Sequence, residues 1–298
     1  MAVKTVKASI NGQEYNLTYD ETSGSYKATI TAPSKSSYNN NNGHYYPVSV
    51  TATDDAGNST TVTDTDTTFG DDLKLKVKEK VKPTITVTYP TASATITSAT
   101  PTITWTVIDD DSGIDEATIA IKIDSGTYVT SGITTTATTK GFNCSYKIPT
   151  SLSNGAHSFS LKVSDHDGNA ATELVTSFTV DTVPPALTIT SPADGLITNK
   201  ESLTVSGTTN DVTSTPVTVT VNGAPVTIQS NGSFTTTVTL KSGSNTITVI
   251  ATDAAGLKTT ITRTVTLDTG APVFQEISIV PNPVDAGKTY VISVKVTD

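Results

Sequence analysis

Apolar and polar residues alternate along most of the chain, in runs that suit strands and are too short for helices. Val217-Thr218-Val219-Thr220-Val221 and Thr259-Thr260-Ile261-Thr262-Arg263-Thr264-Val265-Thr266-Leu267 carry the period-two pattern of a half-buried strand. The first run meets Asn222-Gly223, a dipeptide that favours a two-residue hairpin turn, and a partner run follows through Ile228. Asn11-Gly12, Asn231-Gly232 and Ser242-Gly243 punctuate other runs in the same way. One longer motif recurs three times: an alternating strand ends in Asp54-Asp55-Ala56-Gly57-Asn58, in Asp165-His166-Asp167-Gly168-Asn169 and in Asp253-Ala254-Ala255-Gly256. Glycine supplies the positive φ of such a turn, and Asp or Asn caps its backbone. Proline steps at Val81-Lys82-Pro83, Val183-Pro184-Pro185 and Gly270-Ala271-Pro272 open new units. Six or seven short strands in roughly 85–100 residues, with frequent turn signals, describe a β-sandwich.

Composition agrees and narrows the function. About one residue in five of the 298 is Thr, a β-branched type that favours pleated strands. A formal charge of −9 argues against nucleic acid, which needs a basic face to replace phosphate counterions. No apolar run approaches the roughly 18 residues of a membrane-spanning helix. The start, Met1-Ala2-Val3-Lys4-Thr5-Val6-Lys7, has no continuous apolar stretch of the secretory type; if Met1 is the native start, the chain is expected to be made in the cytoplasm and to leave by another route or to stay. The single cysteine, Cys144, excludes an intrachain disulfide.

The segment from Asp181-Thr182-Val183-Pro184-Pro185 to Asp268-Thr269, with its Asn222-Gly223 hairpin and Ala251-Thr252-Asp253-Ala254-Ala255-Gly256 turn, resembles the bacterial immunoglobulin-like domains of surface adhesins and phage virion proteins. The resemblance covers essentially the whole chain. It implies an all-β fold of tandem immunoglobulin-like sandwiches: residues 1–80, 81–182 and 183–269, with a two-strand half domain at 270–298. Such sandwiches host many roles, so the likeness speaks for fold more than for function.

The two ends read as halves of one domain. The third unit spends 39 residues, Val183 to Val221, before its Asn222-Gly223 hairpin, whereas 10 precede Asn11-Gly12. The first unit is therefore expected to lack its first two strands, while residues 270–298 hold two strand-like runs, Gln275–Val280 and Tyr290–Val296. Asp298 aligns with Asp211. Ile277, Ile279, Tyr290, Ile292, Val294 and Val296 alternate along the tail and are the expected assembly residues, worth roughly 10–15 kcal/mol of gross burial. Exposed sheet edges recruit strands, so each half should be completed by another copy, by another protein or by the same chain; a fragment cut from a longer protein is the competing reading.

Candidate chemistry is sparse. Asp109, Asp110, Asp111 and Asp115 are candidate calcium ligands, because calcium takes six to eight oxygens and related adhesin arrays often hold it near domain junctions; a solvated acidic turn is the alternative. No other cofactor is expected. Asp165, Asp167 and Asn169 read likewise. His44, His157 and His166 have no zinc spacing with Cys144, and neither a nucleophile elbow nor a phosphate loop is present, so no enzyme is expected. In the segment Tyr38-Asn39-Asn40-Asn41-Asn42-Gly43-His44-Tyr45-Tyr46, the side chains of Tyr38, His44, Tyr45 and Tyr46 are candidates to contact a glycan or protein, or else to cover the end of the sandwich. Leu73-Lys74-Leu75-Lys76-Val77-Lys78 reads as an edge strand with one lysine face.

These readings converge on a structural or adhesive subunit of an extracellular particle, first of all a bacteriophage tail or tail-like particle. The expected partners are other copies of the chain, head to tail, or other virion proteins, together with a bacterial surface or glycan; nucleic acid and membrane are not expected. The first unit, with Ala32-Pro33-Ser34-Lys35-Ser36-Ser37-Tyr38 before its Asn-rich stretch, resembles proteins encoded among phage tail genes of Gram-positive bacteria. A segment of a secreted surface adhesin or filament, and a glycan-binding accessory module, are the rival expectations.

Overall fold

The computed structural model describes residues 2–298. The chain divides into two compact units, one ending at Val180 and the other running from Asp181 to Asp298.

The first unit opens with six strands that all belong to one sheet: β1 (Val3–Ile10), β2 (Gln13–Asp20), β3 (Ser25–Lys27), β4 (Tyr46–Asp54), β5 (Ser59–Val62) and β6 (Lys74–Leu75). Their order is β3-β2-β1-β4-β5, with β6 paired to the start of β4. Asn11 and Gly12 adopt φ of 48° and 75°, the doubly positive turn that matches the twist of two antiparallel strands. Directly opposed residues share a face, and the pairs Val6↔Leu17, Ala8↔Tyr15, Ala8↔Val50 and Val50↔Val62 gather apolar side chains on one side. That side is incompletely covered. Val6 and Ala8 are buried, but Val48, Val50 and Ala52 are only half-buried. After β3, the alternating stretch 28–32 joins no ladder among the described residues. The expected strand over Leu73–Lys78 shrinks to the two residues of β6, because Gly70–Leu73 closes into a 3-10 turn.

The rest of that unit is a full sandwich. Its strands are β7 (Thr84–Tyr89), β8 (Ala94–Ile96), β9 (Thr102–Ile108), β10 (Ile114–Ile123), β11 (Ile133–Thr138), β12 (Gly141–Lys147), β13 (Gly155–Asp165) and β14 (Leu174–Val180). One sheet runs β11-β12-β9-β7 and the other β10-β13-β14-β8. Trp105, Phe159, Phe178, Ile121 and Leu161 fill the space between them, with Trp105 1% exposed. Cys144 lies in the same core, where burial pushes its thiol up to about 12.

The second unit begins with another complete sandwich: β15 (Ala186–Ser191), β16 (Leu196–Thr198), β17 (Ser202–Asn210), β18 (Thr218–Val221), β19 (Ala224–Val226), β20 (Ser233–Thr239), β21 (Gly243–Thr252) and β22 (Lys258–Leu267). Sheet β15-β17-β20 faces sheet β16-β22-β21-β18-β19 across a core of Val205, Val249, Val265, Ile247 and Phe234. Gly207 is required by packing: a Cβ there would lie 2.2 Å from the Thr188 carbonyl oxygen and 2.6 Å from the Phe234 ring. The pairs Ser202↔Thr239, Thr204↔Thr237, Ser206↔Thr235 and Thr208↔Ser233 cover the outer face of β17 and β20 with uncharged hydroxyls.

The chain then forms a lone hairpin, β23 (Val273–Val280) with β24 (Val291–Thr297). Ile277↔Val294, Ile279↔Ile292 and Phe274↔Val296 make one apolar face, while Glu276↔Lys295 and Ser278↔Ser293 make the other largely polar. The apolar side chains remain 44–65% exposed.

Turn landmarks relate the sets to one another. The β1–β2 hairpin corresponds to β18–β19, β3 to β20, and β4–β5 to β21–β22, whereas β23–β24 corresponds to β15 and β17. No strand within residues 2–80 corresponds to β15 or β17.

Candidate metal centres

Two buried acidic triads stand out among the described residues. Glu79, Asp109 and Asp165 bring one carboxylate oxygen each to within 4.8 Å of one another, and so do Asp181, Asp211 and Asp253. The two triads are built alike. Glu79 and Asp181 each lie five residues before the first strand of a sandwich, β7 or β15. Asp109 and Asp211 directly follow β9 and β17, while Asp165 and Asp253 open the turns after β13 and β21. Chain entry, the end of the third strand and the last hairpin turn therefore converge at the same end of each sandwich.

Backbone donors fix the carboxylates. Glu79 accepts the Val81 N–H at 2.8 Å, and Asp181 accepts the Val183 N–H at 3.1 Å. Asp109 accepts from Asp111 and Gly113, and Asp211 from Thr213 and Ser214. Asp165 accepts the Asn169 N–H at 2.8 Å, and Asp253 the Leu257 N–H at 2.9 Å. In the first triad the Ser112 hydroxyl also donates to Glu79, the Asn169 side-chain amide to Asp165, and Asp167 accepts the Glu79 N–H. Burial pushes the Glu79 carboxyl above its ordinary value, and the nearby Asp109 and Asp165 charges add to the rise.

The second triad is less satisfied. Asp181 is fully buried and Asp253 nearly so, yet the Oδ2 atoms of both lack any hydrogen-bond partner, as does the buried Ser214 Oγ. Like charges held within 4.8 Å of one another repel by on the order of 3 kcal/mol or more at an effective dielectric of about 20. Unpaired buried carboxylate oxygens cost more still. A divalent cation relieves both penalties. Calcium–oxygen bonds of about 2.3–2.6 Å allow ligand atoms up to roughly 4.6–5.2 Å apart, which accommodates oxygens within 4.8 Å of one another, and the all-oxygen donor set suits a hard cation. The residues present thus fit calcium.

Asp109 and Asp165 are the sequence-expected calcium candidates that the structure brings into a triad. The Asp111 carboxylate instead accepts the Ser36 N–H at 3.1 Å, Asp115 caps Ala117, and Asp110 pairs with Lys140 at 2.7 Å. Glu79, Asp181, Asp211 and Asp253 are not expected from sequence; Asp181 stands in a proline-containing linker and Asp253 opens an Asp/Gly turn. Their common offsets from strand ends were the available signal.

The Asn-rich loop packs onto the second strand set of its unit. Tyr38 lies stacked between His44 and His166, with ring centroids 4.0 and 3.9 Å away. Asn39 donates its side-chain N–H to the Asp111 carbonyl. Tyr45 donates to Asp64 at 2.8 Å, and Tyr46 is buried with its hydroxyl on the Lys35 carbonyl at 3.3 Å. The loop's tyrosines are thereby engaged within the protein, and His44 keeps an exposed edge.

Family models described as bacterial Ig-like domain match residues 2–71 and 79–182, and the model for domain B of glucodextranase matches residues 185–269. A stretch of 122 residues, 41% of this chain, is 32% identical to part of Bacillopeptidase F of Bacillus subtilis (strain 168), of which it spans 8%. Among solved structures, a three-domain I-band fragment of titin covers 89% of this chain and 88% of its own at 13% identity, with a TM-score of 0.38. A tetra-tandem repeat from the extending region of a large adhesion protein covers 98% and 79% at 19% identity and a TM-score of 0.33. The fibronectin(III)-like modules of Clostridium thermocellum CbhA cover 62% and 94% at 17% identity and a TM-score of 0.37.

Proposed function

We propose that this chain, a tandem of bacterial immunoglobulin-like domains of a structural or adhesion-type module, is a non-enzymatic spacer whose sandwiches are stiffened by calcium and whose two incomplete strand sets link subunits end to end. The observation that carries the reading is the repeated triad. Each ties the segment entering a sandwich to the sandwich itself, so a cation held there removes freedom from the connection rather than serving a reaction. Isothermal titration of the full chain with calcium, paired with calorimetric melting in calcium and in chelator, tests it. Binding at the triads should raise melting by several degrees, and Asp253→Asn should remove that gain for the third sandwich. Unchanged melting with no heat of binding would sink the calcium part.

The finer setting we infer is a bacteriophage tail or tail-like particle, assembled inside the host and released with it. The expected resemblance of the first unit to proteins encoded among phage tail genes is what suggests this setting. Antibody labelling of particles released from the source organism, viewed by electron microscopy, checks it; label on cell walls instead of particles points to the rival. That rival, a segment of a longer surface or secreted protein, draws support from the match to a small part of Bacillopeptidase F. A bacterial surface or glycan is the proposed outer partner in either setting.

A further inference from the structure

We propose that the third sandwich carries a saccharide-binding cleft on the outer face of β15 and β17, and that its ligand is a short, uncharged oligosaccharide. This rests on the glycan reading given above and deepens it by naming the site and the ligand class.

The cleft measures about 800 Å³, within the roughly 300–1,000 Å³ that ligand sites span. Strand alternation builds its floor. Ile189 and Thr209 turn inward and are buried, so Thr188, Thr208 and Asn210 stand out from the sheet. The pairs Ala186↔Asn210 and Thr188↔Thr208 set these side chains next to one another across the two strands. Two connections flank the floor: 211–217, which leaves β17 for the opposite sheet, and 227–232, which leads into β20. The first contributes Thr215, Pro216 and Val217 to the lining, and the second Ile228, Gln229 and Ser230. Hydrogen bonds pin both. Asp211 accepts the Thr213 and Ser214 N–H groups at 2.8 and 2.6 Å. The Thr209 N–H donates to the Gly232 carbonyl, and the Gly232 N–H to the Gln229 carbonyl, both at 2.9 Å. Asn231 Oδ1 accepts the N–H and the hydroxyl of Ser233 at 3.0 and 2.7 Å. A ligand therefore meets a preformed surface rather than a loop that it must first order.

What the cleft offers is neutral hydrogen bonding. The side chains of Thr188, Thr208, Asn210, Thr215, Gln229 and Ser230 are exposed and make no hydrogen bond among the described residues. Each hydroxyl and each carboxamide among them both donates and accepts. A sugar presents neighbouring hydroxyls of the same double character, and one carboxamide engages two of them at once. Ala186, Pro216, Val217 and Ile228 supply the apolar part of the lining and suit the C–H face of a sugar ring. Charge points to the same class. No Lys, Arg, His or Glu lines the cleft, and its one ionisable residue, Asp211, is buried and held by backbone N–H groups. An anion finds no cation there and approaches a chain of net charge −9. An organic cation finds no exposed carboxylate, and a lipid finds no aromatic, Leu or Met side chain. At the same place the second sandwich differs: Ile108 stands where Asn210 does, each just before a triad acid, and Asp110 and Lys140 form an ion pair beside it. The neutral amide and hydroxyl surface belongs to the third sandwich.

The test titrates the full-length chain with cellotriose, maltotriose, N-acetylchitotriose and the acidic trigalacturonate by isothermal calorimetry. At least one neutral trisaccharide should bind, and trigalacturonate should not. Asn210→Ile, which installs the residue of the second sandwich, and Gln229→Ala should each weaken that binding about tenfold, as the loss of a hydrogen bond or two implies. Both positions are exposed, and unchanged melting of the third sandwich verifies that each variant is folded. His44→Ala, in the Asn-rich loop, should leave sugar binding unchanged. Neutral-sugar binding that survives both cleft variants overturns the site and leaves the glycan reading standing. Tighter binding of trigalacturonate overturns the uncharged ligand class. A chain that binds none of the four sugars, and whose Asn210→Ile variant labels bacterial cells as strongly as wild type, uses another outer contact, which overturns the cleft. Binding to neither sugars nor cells overturns the cleft too, and is the separate failure of the outer-partner reading.

Discussion

At the scale of single residues, the buried acids and one histidine set the protein's response to its medium. His157 is largely buried, and burial opposes its charge. Hydrogen bonds to the Asp124 carboxylate at 2.8 Å and the Ser153 carbonyl at 2.9 Å outweigh that and hold its pKa above the ordinary 6.5. A raised folded-state pKa means that the ion pair stabilises fully below about pH 6.5 and fades as pH climbs through the folded value. His157→Gln should therefore lower the melting temperature of the second sandwich at pH 5.5 more than at pH 8.5, measured by calorimetry in the same salt. Gly207 gives a different prediction. Gly207→Ala forces its Cβ against the Thr188 carbonyl and the Phe234 ring, so denaturant titration should show a loss of about 1–3 kcal/mol from the third sandwich. Trp105→Ala, a truncation in the centre of the other core, should cost about 3–5 kcal/mol by the same measurement.

At the scale of elements, the two incomplete sets should behave unlike the complete ones. The stretch 28–32 and the hairpin β23–β24 lack neighbouring strands, so at low protein concentration their amides should exchange within seconds to minutes. Those of β9, β13, β17 and β21, central in sheets, should persist far longer. Native hydrogen exchange read by mass spectrometry checks the contrast. Much of this was legible beforehand. Asn-Gly dipeptides and Asp/Gly turns marked hairpins because few residues tolerate positive φ, and Asn11 and Asn222 do adopt it. Alternation marked the strands. The triads were not legible as triads. Asp165 and Asp253 look like ordinary turn caps, which they also are, and only the fold brings them to Glu79 and Asp109, or to Asp181 and Asp211. Leu73–Lys78 misled for the opposite reason: its alternation is real, but Gly70 and the acids after it favour a tight turn, and ladder partners exist for two residues only.

At the scale of the whole molecule, the net charge bears on the proposed cation sites. The chain carries 28 acidic against 19 basic residues, and the triads concentrate part of that excess where it is least hydrated. Cation uptake should therefore steepen cooperativity: scanning calorimetry of the full chain in chelator should resolve a lower transition that moves toward the others as calcium is added. A single transition, identical in both conditions, would count against that picture.

The outer face of β17 and β20 has a further consequence, for survival among proteases. Its residues are threonines and serines where many surface strands use lysine or glutamate. Between Lys200 and Lys241 no basic residue occurs at all, and both strands lie wholly inside that interval. A trypsin-like enzyme thus finds no bond of its preferred kind along either strand, even when that sheet breathes open. The same uncharged hydroxyl surface leaves both strands without the bonds that a trypsin-like enzyme cuts.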